Sequence, residues 1–178
     1  MRHGVALVLA LVLALVLAAC GQQPAKEETA AAELSPLEEA AIDAGVIPDV
    51  RKVTLAGAFE RRSDLGTDRF CAVGNDENGY QIGMIAVFGP AAKCEGLGEA
   101  ERDGETVRIS LNSEEKCSFT ARFDGVELQL PGELPASCAS YCSPRAGFEG
   151  VSFYIIGEGD EVARSTSGRD FESLCPGG

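Results

Sequence analysis

The sequence predicts an all-β domain: a small antiparallel β-barrel or sandwich of about eight strands in a meander, with one short N-terminal helix and a Cys-containing crossover. Three observations predict it. First, from residue 53 onward apolar residues recur with period two, which gives strands one wet face and one buried face. Second, Asn78-Gly79, Asp103-Gly104 and Asp124-Gly125 each precede such a stretch, as tight hairpins require. Third, residues 49–178 suffice for one core, and closing the meander would remove exposed strand edges, which favours the barrel.

The chain opens MRHGVALVLALVLALVLAAC. Arg2 leads into an apolar run over residues 5–17, shorter than a bilayer span and closed by small residues, the pattern of a secretory signal. Leu17-Ala18-Ala19-Cys20 resembles the lipobox of bacterial lipoproteins. That resemblance implies diacylglycerol on the Cys20 thiol, cleavage before Cys20 and acylation of the new amino group. Gly21 stands where the inner-membrane retention signal of many Gram-negative lipoproteins carries Asp, which favours the periplasmic leaflet of the outer membrane. The expected organisation is a signal peptide (1–19), a lipidated flexible tether (20–34), a short helix (35–48) and a β-domain with disulfides (49–178). As random coil, the tether reaches roughly 20 Å.

Ser35-Pro36-Leu37-Glu38 is a capping box with Pro at the first helical position, so a helix is expected over residues 36–44. Leu37, Ala40, Ala41 and Ala44 give it a weak apolar face. Gly45 ends it, and Pro48 prevents resumption. Strands are expected over residues 53–60, 69–73, 80–88 and 94–102. The stretch 80–88 is apolar on both faces, as in a central strand. Alternation is cleanest in Val107, Ile109 and Leu111, in Cys117, Phe119, Ala121 and Phe123, and in Val126, Leu128 and Leu130. Residues 131–150 break the pattern and read as a crossover with one helical turn. A strand over 151–156 and a weak one near Val162 complete the meander, leaving a tail from Ser167 pinned by Cys175.

Besides Cys20 there are six cysteines: Cys71, Cys94, Cys117, Cys138, Cys142 and Cys175. An even number in an exported chain predicts three disulfides. Cys71, Cys94 and Cys117 fall on every second strand, about 9.5 Å apart, too far for a bridge. They should therefore pair with Cys138, Cys142 and Cys175, which leaves six connectivities; a Cys138–Cys142 bridge is the main exception. Without a CxxC pair, neither zinc nor a dithiol redox motif is indicated.

The formal net charge is −13, which disfavours nucleic acid and suits a basic partner. The only His is His3, inside the expected signal, so His-dependent catalysis and His-ligated metal sites are excluded from the mature chain. No cofactor is expected. Arg61, Arg62 and Arg69 lie in a mixed-charge stretch and are candidates for contact with an anion or partner. Ser143-Pro144-Arg145 is a weaker candidate. Asp76, Glu77 and Asn78, and the tip formed by Glu158, Asp160 and Glu161, are oxygen-rich but lack EF-hand spacing and read as solvated turns.

In size, anchoring and topology the chain resembles the periplasmic lipoprotein inhibitors of lysozyme, which are small disulfide-bonded β-barrels. Ser167-Gly168-Arg169 is similar to part of their inhibitory loop over three residues. The resemblance implies a non-catalytic envelope protein that binds a protein or envelope component, with membrane lipid at Cys20 and a basic protein as partners. The alternatives are a carrier of a small ligand or lipid and, behind it, a carboxylate-based hydrolase. The remainder of the chain resembles short Gram-negative envelope lipoproteins, which implies no activity.

Overall fold

The computed structural model describes residues 34–112, 117–169 and 172–175. Cys20, the signal segment and residues 20–33 of the tether lie outside the described residues.

Helix α1 (Pro36–Asp43) starts where its capping box predicts. The Ser35 hydroxyl accepts from the Glu38 amide, and the Glu38 carboxylate accepts from the Ser35 amide. None of its residues is buried, consistent with its mostly alanine apolar face.

Eight strands follow: β1 (Gly57–Ser63), β2 (Gly66–Asn75), β3 (Gly79–Val87), β4 (Lys93–Asp103), β5 (Thr106–Leu111), β6 (Cys117–Phe123), β7 (Glu127–Gln129) and β8 (Ser152–Glu158). Each pairs antiparallel with the next, and β8 pairs with β1 to close a barrel. The expected hairpins form at Gly79, Gly104 and Gly125, all with positive φ. A 3-10 helix (Ala136–Tyr141) lies in the crossover between β7 and β8.

Side chains fill the interior. Phe59, Phe70, Phe123 and Phe153 form a ring cluster with centroids 5.3–5.8 Å apart. Ile82, Met84, Ile109 and Leu128 pack around them, and all eight are fully buried. A second cluster lies outside the barrel wall, where Cys71, Val73 and Ile85 meet Ala163, Leu174 and Cys175. This cluster explains the two apolar faces of β3. The strand's outer face is covered by Leu174 and Cys175, and the Leu174 backbone crosses at Gly83, where no side chain obstructs it.

Three expectations need correction. Residues near Val162 form helix α2 (Asp160–Arg164), not a strand. Gly159, at φ 93°, turns the chain, and Asp160, Glu161 and Arg164 carry the charges favoured at helix starts and ends. Residues 53–56 are irregular, with the Thr54 hydroxyl accepting from the Ala56 amide, so β1 begins at Gly57. The strand expected over 126–130 shrinks to three residues.

The disulfides are Cys71–Cys175, Cys94–Cys142 and Cys117–Cys138. Cys71, Cys94 and Cys117 sit on β2, β4 and β6, and each reaches the crossover or the tail. Interstrand distance thus selects the class of pairing, and one of the six expected connectivities is realised. The Cys138–Cys142 exception does not form, because each cysteine staples the crossover to a different strand.

Candidate partner-binding surface

The structure divides the three candidate arginines. Glu60 and Arg69 face each other across β1 and β2, as do Arg61 and Asp68. Glu60 takes an ion pair from Arg62 at 2.5 Å and one from Arg69 at 3.4 Å. Arg69 also donates to the Ser167 carbonyl at 3.4 Å, which ties the strand to the tail. Arg62 and Arg69 are therefore already partly neutralised. Arg61 lies opposite Asp68, which accepts from the Val87 amide at 2.7 Å. Burial pushes the Asp68 carboxyl above its ordinary value, while the Val87 bond and the Arg61 charge pull it back.

The weaker candidate, Arg145, forms no ion pair with a described residue. It is exposed on a turn closed by the Ala146 amide donating to the Ser143 carbonyl, and its φ is 70°. A non-glycine residue in that region is strained. Arg169 instead donates to the carbonyls of Gly89 and Pro90. The Asp76–Asn78 stretch is a turn organised by the Asn75 side chain, which accepts from the Glu77 and Asn78 amides. Asp160 accepts from the Gly74 amide and pairs with Arg164. No group of carboxylates able to hold a metal occurs among the described residues.

Sequence reasoning missed Arg102. Its side chain is 3% exposed and donates to the carbonyls of Val50, Val53 and Gly104. The guanidinium also stacks 5.3 Å from the Phe123 ring centroid. It pins the irregular segment before β1 to the barrel. Apart from the Asp76 carboxylate at 3.4 Å, its partners are backbone oxygens, which leave no residue-type signature.

One place in the barrel wall is thin. Only Arg122↔Gln129 and Phe123↔Leu128 join β6 to β7. Beside them lies an open groove of about 520 Å³ lined by Thr120, Arg122, Gln129, Pro131 and Gly150. Its rim is charge-balanced where Arg122 pairs with Glu105 at 2.8 Å.

The chain matches no family model, no curated protein and no solved structure. Any functional reading therefore rests on the barrel itself. Its interior is filled by side chains, and irregular features of its wall include the short β6–β7 ladder, the register shift between Ala58 and Phe59 and, in the crossover, Arg145 at positive φ.

Proposed function

We propose that this chain is an envelope lipoprotein, anchored through Cys20, whose non-catalytic barrel binds a protein or envelope component through its outer surface. The carrying observation is the filled interior. With Phe59, Phe70, Phe123 and Phe153 occupying the barrel centre, a lipid or small ligand has no room inside the barrel. That favours a surface binder over a carrier. The formal charge of −13 makes a basic protein the complementary partner, and a lysozyme is the concrete version. Three disulfides suit an oxidising compartment.

Crosslinking in intact envelopes followed by pull-down tests the reading. A reproducible protein crosslinked to the barrel is the expected result; copurified lipid with no crosslinked protein would overturn it. Lysozyme activity unchanged by a micromolar excess of the protein would remove the lysozyme version alone.

A further inference from the structure

We propose that the gap between β6 and the β7–crossover segment is a docking slot for a short, extended, basic segment of a partner protein, which adds to β6 as an extra strand. The proposal rests on the protein-binding reading above and names its surface.

Backbone bonding defines the slot. The Phe123 amide donates to the Glu105 carbonyl at 2.8 Å, so odd-numbered residues of β6 direct their N–H and C=O toward β5. Even-numbered residues direct theirs away from β5. The Asp124 amide donates to the Glu127 carbonyl, and Arg122 stands opposite Gln129. The next pair would join Thr120 to Pro131. Pro131 has no N–H to give, and its carbonyl already accepts from the Gly150 amide at 2.9 Å. The ladder therefore stops at Arg122: among the described residues, neither Thr120, which lines the groove, nor Ser118, next along the same edge, has a backbone partner for the N–H and C=O it directs away from β5. The Cys117–Cys138 bridge closes the far end. At strand rise, the slot is about 10 Å long.

Alternating donors and acceptors at strand spacing are the complement of extended backbone, as in strand addition to a sheet edge. Charge selects the occupant. Of the charged residues that line the groove, Arg122 and Glu105 offset each other; the surplus is the chain's −13 overall and the exposed Glu133 and Glu149, each adjoining a glycine of the lining. A second copy would bring the same charge against itself, whereas a segment bearing Lys or Arg is complementary.

The test uses the isotope-labelled full chain and a capped five-residue peptide, Lys-Thr-Lys-Val-Lys, followed by amide NMR. In the free protein, the Ser118 and Thr120 amides should exchange at least about tenfold faster than those of Phe119 and Ala121. Peptide should slow them and move their signals; a version N-methylated at alternate residues should not. Thr120→Pro should abolish binding, Thr120→Ala should retain it, and Pro131→Val should weaken it by giving Thr120 its missing donor. Equal protection of all four amides in the free protein would overturn the proposal. So would equal binding of the methylated peptide, or no signal change at about 1 mM peptide. A dimer dissolved by Thr120→Pro would replace it with self-pairing, and equal binding of a glutamate peptide would remove the basic occupant. If wild type and Thr120→Pro crosslink the same envelope protein equally, the slot fails and the protein-binding reading stands. If wild type crosslinks none, that reading fails.

Discussion

At the scale of single residues, Arg102 carries the largest consequence. Replacing it with Leu would strand the carbonyls of Val50, Val53 and Gly104 near the barrel end and remove the stack on Phe123. The expected cost is about 3 kcal/mol, read from denaturant midpoints, and Arg102→Lys should recover only part of it because one ammonium cannot reproduce the planar fork. Arg145 predicts the reverse sign. Its positive φ favours glycine, so Arg145→Gly should gain about 1 kcal/mol; a loss would mean that the side chain holds the turn. Asp68 predicts a pH dependence. Its folded pKa is raised by burial, so its stabilising contribution is complete below the unfolded value and lost as pH rises through the folded one. Asp68→Asn keeps the oxygen that accepts from Val87 without the charge. Its urea midpoint should climb relative to wild type as pH rises above the ordinary aspartate value of about 4; a gap that stays constant would show that Asp68 does not titrate differently on folding. Asp49 has the opposite sign. Hydrogen bonds from Arg51 hold its carboxyl well below the usual range, so its contribution is present at neutral pH and lost in acid.

At the scale of elements, what the sequence reveals depends on how local the cause is. Strands β5 and β6 are legible because Val107, Ile109, Cys117, Phe119 and Phe123 alternate without interruption. Helix α2 is not, because it is fixed by the turn at Gly159 and by Asp160 reaching the Gly74 amide, a contact 86 residues away. Pro131 is visible as a strand breaker, but its effect on Thr120 appears only once the β6–β7 register is known. The bridges were legible as a class and not as pairs. They are nested: the 21-residue span of Cys117–Cys138 lies inside the 48 of Cys94–Cys142, itself inside the 104 of Cys71–Cys175. Alone, each would contribute about 3–5 kcal/mol by loop closure. Nesting shortens the outer loops in the unfolded chain, so contributions cannot add. Paired Ala replacement of Cys71 and Cys175 should therefore cost less with the inner bridges intact than with both removed. Equal costs in the two backgrounds, measured by urea unfolding, would refute that coupling.

At the scale of the whole molecule, the barrel is a solid body with a second small core fastened to its outer wall. Small barrels either fill with side chains or enclose a ligand, and phenylalanines from β1, β2, β6 and β8 meeting at the centre make this one the first kind. Phe70 touches both Phe59 and Phe153, so truncating it should leave a void that its neighbours cannot close. Phe70→Ala is expected to lose about 3–5 kcal/mol of stability. The wild-type protein should show no binding of xenon or benzene, while the variant should bind either one in the dry cavity, because apolar voids stay empty of water and accept small apolar guests. Uptake by the wild type, or lipid copurifying with it, would mean that the barrel opens in solution and would restore the carrier reading. A variant that loses stability yet takes up neither probe would mean that the wall collapses inward, and the barrel would then owe its shape to the packing of its core as much as to its closed ladder.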